Sequence, residues 1–178
     1  NTTLTGADLT DANLSGANLT TANLFGIVDG INILEKTKLK GANLTNANLT
    51  DINLIGMDIS DTILKGADLT GVKLERANAI NANLEDVDLS FKNLSKIRLI
   101  DANLSRTILS GAQLSNAKLM GANLSDADLT GAKLVDANLS NANLTGANFH
   151  MADLTGANLE GVTISETNLS CIGHEICT

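Results

Sequence analysis

The chain has 178 residues and a formal net charge of −8, from 12 Lys and Arg against 20 Asp and Glu. Its only aromatics are three Phe, and it has no Pro, Trp or Tyr. This length suits one domain spanning 1–178, the acidity with so few aromatics argues against nucleic-acid binding, and no apolar run reaches the roughly 18 residues of a membrane-spanning helix.

From Leu4 to Leu169, leucine returns every fifth residue; Asp29, Ile59, Ala79, Phe149 and Ile164 are the exceptions. Alanine commonly stands two residues before the leucine, and the unit reads as in Ala12-Asn13-Leu14-Ser15-Gly16. We call the leucine the centre of its unit. A helix turns about 100° per residue, so leucines at this period would drift around its axis. A flat strand would throw successive leucines onto opposite faces. A bend in every unit satisfies the period, and glycine two residues after the centre, as at Gly16, Gly66, Gly111 and Gly146, suits that bend. Repeated bends with inward apolar side chains predict a solenoid whose turns pack only on their neighbours. Asn1 already lies inside the repeat and no leader is legible, which fits a targeting segment preceding this stretch.

On these units the chain resembles the pentapeptide repeat family over nearly its whole length. The resemblance implies an all-β fold, a right-handed quadrilateral β-helix of four pentapeptides per coil. The centre and the residue two before it would point inward, stacking Leu and Ala at crystal-like density. Four units per coil give about eight coils, a rod about 40 Å long at the usual strand spacing.

The first break spans 25–37. In phase, it would bury Asp29 and Asn32, and an unpaired buried carboxylate is costly. We therefore expect a loop insertion here. It is either a tolerated surface corner or a partner-binding loop carried by Ile27, Val28, Ile31 and Ile33, with Leu34 beside them.

The second break is Phe91-Lys92-Asn93, which puts Lys92 at an inward alanine position. Two outcomes fit: the ammonium reaches out to water, or the coil distorts and Phe91 takes the space. Ala79 and Phe149 read as packing adjustments. The frequent Asn-x-Ser/Thr triplets, as at Asn103 and Asn123, are by-products of the repeat; their side chains suit turn and backbone bonds better than glycosylation.

Counting units modulo twenty assigns charges to faces. One face collects Asp8, Asp11, Asp29, Asp51, Asp68, Asp88 and Asp128 with no Lys or Arg. Asp68 and Asp88 should be direct neighbours about 4.8 Å apart. If the 25–37 segment loops out, Asp8 and Asp11 move to another face, whereas Asp51, Asp68, Asp88 and Asp128 stay aligned. This face is either a solvated side that favours solubility or a docking surface for a basic partner or a loosely held cation.

The chain ends in Cys171-Ile172-Gly173-His174-Glu175-Ile176-Cys177-Thr178. A Cys171–Cys177 disulfide would pin a cap, residues 170–178, over the open edge of the last coil, and implies an oxidising compartment. A zinc site from Cys171, His174 and Cys177 with Glu175 nearby is a second reading, although its spacing is not a standard one. Free thiols are the third.

No catalytic constellation, phosphate-cradling loop or cofactor motif stands out, so we expect neither enzymatic activity nor a cofactor. The expected function is that of a rigid rod binding a protein partner, with end-to-end or side-by-side self-association left open. The family resemblance implies a cyanobacterial or photosynthetic-organelle type, in the thylakoid lumen or periplasm, with a cytoplasmic home as the alternative. It also implies a second function, inhibition or protection of DNA gyrase by an acidic rod that mimics DNA. Against that reading stand the expected disulfide, the short tail after Leu169 and the thinning of acidic residues beyond Asp128.

Overall fold

The structure is a computed structural model describing residues 4, 6–20, 22, 27–28, 31–32 and 37–177, with backbone only at 27–28 and 31–32. Each five-residue unit contributes one residue to a parallel ladder. Partners lie twenty residues apart, as Asn83 with Asn103, Asn103 with Asn123 and Asn123 with Asn143. Four units therefore close one coil. Between coils, Leu104 N–H donates to the Asn123 carbonyl (2.7 Å), and Asn123 N–H donates to the Ala102 carbonyl (2.9 Å). Within a coil, Ala112 N–H turns back to the Leu109 carbonyl at 3.0 Å. Within each such turn the residue two after the centre, Gly111 here, has positive φ, which is why Gly, Asn and Asp dominate the corners.

Leucine and alanine fill the axis as the five-residue period requires. Ala102, Leu104, Leu109 and Ala112 are all fully buried. Where the centre shrinks to Ala79, the neighbouring coils carry Met57 and Ile97 at alanine positions, restoring volume, and all three are buried. Phe149 is fully buried as an enlarged centre. Thr62 and Thr107 also point inward; their hydroxyls donate to the Ile59 carbonyl (2.7 Å) and the Leu84 carbonyl (3.1 Å), so neither is left unpaired.

The asparagines beside the centres form their own ladder. Asn103 Nδ2 donates to Asn83 Oδ1, Asn123 to Asn103 and Asn143 to Asn123, at 3.3, 3.2 and 3.1 Å. The same oxygens accept backbone N–H bonds from two residues on, such as Ser105 N–H to Asn103 Oδ1 (3.1 Å). These amides are engaged on both sides, which accounts for the repeat of Asn without glycosylation.

The first coil pairs thirty residues on, Asp8 with Lys38, Asn13 with Asn43 and Asn18 with Asn48. The ten extra residues fall in the irregular segment, where strands β1 (Ile27–Val28) and β2 (Ile31–Asn32) pair antiparallel as a hairpin. The side chains of Ile27, Val28, Ile31 and Ile33 lie outside the described residues, as does Asp29. The thirty-residue step corrects the face assignment made by counting from the N-terminus. Asp8 and Asp11 leave the acidic face for the opposite one, where Asp8 forms an ion pair with Lys38 at 2.8 Å. That contact holds the Asp8 carboxyl down at about 2, with bonds from Thr10 adding to the effect.

At the other end the step shortens by one residue, with Ile172 pairing with Asp153. Leu154 N–H donates to the Ile172 carbonyl at 2.8 Å. The tail then turns, and a disulfide joins Cys171 to Cys177. Ile176 and both cysteines pack against the axial core. His174 Nδ1 accepts the Ile176 N–H at 3.1 Å. With both sulfurs in the disulfide, neither is a thiolate able to bind zinc alongside His174.

Candidate interaction face and its open seam

The acidic face is built on centres Leu49, Leu69, Leu89, Leu109, Leu129 and Phe149. Its ladder column runs Asn48, Asp68, Asp88, Ile108, Asp128, Asn148 and Asn168, and its corner column carries Asp51 and Phe91. Asp51, Asp68, Asp88 and Asp128 thus share one side of the rod, with no Lys or Arg in these units. Their surroundings differ. Asp128 accepts the Ser110 hydroxyl (2.6 Å), the Thr130 hydroxyl (2.5 Å) and the Thr130 N–H (3.0 Å). Burial pushes its carboxyl up, but these bonds outweigh it and hold Asp128 below the usual carboxylate range. Asp68 is also held low, first by the Thr70 N–H and hydroxyl and then by Thr50 and the nearby Lys92 charge. Asp51 projects over the corner at Gly71, where a Cβ would come 1.8 Å from its Oδ1. A glycine one coil on is what lets the carboxylate lie there.

Asp68 and Asp88 face each other without the ladder bonds that direct neighbours would share. The ladder opens between their coils. Among the described residues, the expected bonds from Leu69 N to Asp88 O, Asp88 N to Ala67 O, Leu74 N to Asn93 O and Asn93 N to Val72 O are absent. So are the corner bonds from Gly66 N to Glu85 O and Gly71 N to Ser90 O. The turns within each coil survive, with Ala67 N–H to Leu64 at 2.9 Å and Lys92 N–H to Leu89 at 3.2 Å, and inter-coil pairing resumes with Arg76 N–H to Ser95 at 3.1 Å. Each coil is therefore intact, and the fault lies between them. A second, shorter break sits beside the inserted segment, where Leu39 N–H and Asp58 N–H lack their ladder bonds.

Two features of the sequence account for the seam. Lys92 occupies an alanine position above Ile52 and Val72 in the same column, so its long stem must pass out between layers where alanine is the rule. Overfilling a close-packed core pushes its layers apart. Asp68 and Asp88 face each other across the same step, and like charges directly opposed add to the separation. The seam opens to the surface as a groove of about 470 Å³ lined by Asp68, Thr70, Asp86, Asp88, Ser90 and Lys92. It continues around the corner as a hollow of about 320 Å³ bordered by Ile55, Val72, Lys73, Phe91 and Asn93. The seam grazes the core: Ala67 is 6% exposed and Val72 4%, against 0% for Ala102, Ala112 and Ala122.

Of the two outcomes left open for Lys92, the side chain reaches out and lines the groove, but Phe91 does not take the vacated space. Phe91 is 80% exposed with φ of 57°, and its ring lies over Gly111, where a Cβ would meet Cδ1 at 2.6 Å. Asp86 is already engaged on the next face. Arg106 Nε donates to it at 2.7 Å, and the same guanidinium reaches Glu85. Lys65 approaches both carboxylates, at 3.0 and 3.7 Å. The groove carboxylates that hold no ion pair among the described residues are therefore Asp68 and Asp88, each accepting only hydrogen bonds, Asp68 from Thr70 and Thr50 and Asp88 from Ser90. Among the described residues, no group of three or more His, Cys, Asp or Glu is placed to hold a metal ion.

Comparison with known proteins agrees with the repeat. The family model described as pentapeptide repeats matches in eight copies, at residues 1–26, 37–76, 52–90, 62–99, 93–126 and 122–161. Among solved structures, HetL, a pentapeptide repeat protein involved in heterocyst differentiation regulation from the cyanobacterium Nostoc sp. strain PCC 7120, is 33% identical. That match covers 97% of this chain and 91% of HetL, with a TM-score of 0.41. QnrB1, a plasmid-mediated fluoroquinolone resistance protein, is 24% identical over 88% of this chain and 77% of its own, with a TM-score of 0.48. A pentapeptide repeat protein of the Arabidopsis thaliana thylakoid lumen is 26% identical over 68% of this chain and 70% of its own, with a TM-score of 0.30. Comparison with curated proteins finds no match.

Proposed function

We propose, from the premise that the chain belongs to the pentapeptide repeat family, that it is a non-catalytic interaction protein. It is a single rod of about eight right-handed coils that docks a basic protein partner on one face. The carrying observation is the distribution of charge. Asp51, Asp68, Asp88 and Asp128 share a face with no cation in its own units, while the opposite face sets Lys38, Lys40, Arg98 and Lys118 among its carboxylates. A one-signed face steers an oppositely charged partner and fixes its orientation.

The test replaces Asp51, Asp68, Asp88 and Asp128 together by Asn and measures binding of fluorescent polylysine. A control replaces Asp58, Asp61, Asp101 and Glu160 on the opposite face by Asn or Gln. A selective loss in the first variant supports the docking face. An equal loss in both reduces the effect to net charge and ends the proposal.

The disulfide supports an oxidising home, thylakoid lumen or periplasm, because cytosolic thiols are kept reduced. Alkylation of thiols directly in source cells tests this: two free cysteines would return the protein to the cytoplasm. DNA mimicry toward gyrase is the weaker reading. It asks for a continuous acidic track, and here Asp8 and Asp11 lie on another face while Ile108 interrupts the column, 44% exposed.

A further inference from the structure

We propose that the seam beside Phe91 is a receptor for arginine, so that the docking partner presents an arginine-bearing segment rather than a merely basic one. This rests on the docking-face proposal and names the chemistry of its occupant. The starting point is apolar. Phe91 is the most exposed large hydrophobic residue among those described, at 80%, with Ile108 (44%) in the ladder column of the same face and Met151 (66%) three coils further along the same corner column. Between Phe91 and Met151 the corner holds Gly111, under the Phe91 ring, and Gly131, which has no atom within 4 Å of its Cβ position. An aromatic face stands open to solvent beside a bare stretch of backbone.

The groove on the acidic side of Phe91 supplies what a guanidinium needs. The carboxylates of Asp68 and Asp88 line it. The open seam adds backbone carbonyls at Ala67, Asp88 and Ser90 that have lost their ladder donors. A guanidinium carries five N–H donors in a planar fork, bonds carboxylates bidentately and stacks on aromatic faces. The carboxylates line the groove and Phe91 borders the adjoining hollow with Lys73, the two sharing Lys92 on their rims, so one long side chain spans them. An ammonium is a compact, strongly hydrated point charge that gains little from the ring plane or from several acceptors at once. The occupant is thus a segment whose arginine side chain stacks on Phe91 and ion-pairs with Asp68 and Asp88. Lys92 is the one cation lining the groove, and it tempers the attraction.

The experiment uses fluorescein-labelled hexa-arginine and hexa-lysine peptides, equal in charge, and measures anisotropy with the full chain. Wild type is expected to prefer the arginine peptide by about fivefold to tenfold, the range that cation–π stacking supports. Phe91→Leu is expected to erase that preference while leaving hexa-lysine binding unchanged. Lys92→Ala separates the seam from simple electrostatics. It removes a repelling charge, so electrostatics alone predicts tighter binding of both peptides, whereas closing the seam predicts loss of arginine preference. Amide hydrogen exchange reads closure directly: Leu69, Leu74, Asp88 and Asn93 should exchange fast in wild type and slowly in Lys92→Ala. Equal affinity for the two peptides, or a preference that survives Phe91→Leu, overturns the arginine receptor. If Asp68→Asn with Asp88→Asn weakens both peptides equally, the acidic face stands and the receptor falls. If that pair of changes alters neither, the docking face falls with it.

Discussion

Residues 99–159 and residues 66–95 are built from the same five-residue unit, yet only the first stretch is a continuous ladder. From Leu99 onward nearly every alanine position holds alanine, each ladder bond is 2.7–3.1 Å long, and the axial side chains are buried almost without exception. In 66–95 three of the alanine positions carry Val72, Val87 and Lys92, carboxylates face each other across a coil step, and the bonds joining 66–74 to 85–93 fail while the turns within each coil hold. The lesson is that a solenoid has two separable kinds of order. The coil is local, fixed by tight turns. The stack is a nearest-neighbour interaction, and it depends on how well two layers of side chains nest. A single overfilled layer can open the stack without unwinding the chain.

The sharpest way to break this comparison is to place a charge in the regular stretch. Leu104→Asp buries a carboxylate with no partner and should cost about 4 kcal/mol or more, abolishing the cooperative transition in denaturant. An unaltered midpoint would mean that the leucines do not stack on the axis. Next in size is the disulfide. Reducing it, or replacing Cys177 by Ser, should remove about 2 kcal/mol. Because each coil leans only on its neighbours, the loss of amide protection should concentrate in the last coil. Protection lost equally at Leu54 would show long-range coupling instead.

A smaller effect sharpens the contrast. Lys92→Ala should stabilise the rod by about 1 kcal/mol, making 66–95 more like 99–159. A lower midpoint in denaturant would show that Lys92 fills a gap rather than forcing one. The smallest effect is electrostatic. Asp8 is depressed from 3.8 to about 2 by its Lys38 contact. A depressed carboxyl adds stability that is present above its unfolded value and is lost as pH falls through its folded value. The difference between wild type and Asp8→Asn should therefore shrink as pH drops from about 4 to about 2, and shrink further in salt, since the pair is exposed. A difference that holds constant across that window would show that the ion pair does not stabilise the first coil.

The core was legible from spacing. A period of five forces a bend per unit with the leucine, as at Leu104, turned inward, whereas the inward place of Ala102 was implied by the family resemblance. The tail cysteines suggested a cap, beside zinc and free thiols as alternatives. The corner pairs were less visible. Asp51 lying over Gly71 and Phe91 over Gly111 join residues twenty apart, a step the resemblance supplied, but the lean of each corner side chain over the next coil's glycine is set by backbone geometry rather than by spacing. The asparagine ladder was hidden for the same reason, and its triplets read as glycosylation signals when taken one at a time.

What the chain by itself determined is the repeat, the identity of the axial residues, the acid-rich balance and the two places where the pattern falters, because each follows from local spacing and side-chain chemistry. What the tertiary structure decided is which residues become neighbours. The thirty-residue step past the inserted hairpin carried Asp8 to Lys38 and off the acidic face, since the register of a coil is set by the one it stacks on. The opening between Asp68 and Asp88 depends on the summed volume of layers from different coils and on charges brought face to face. Those quantities exist only after the chain has folded back on itself.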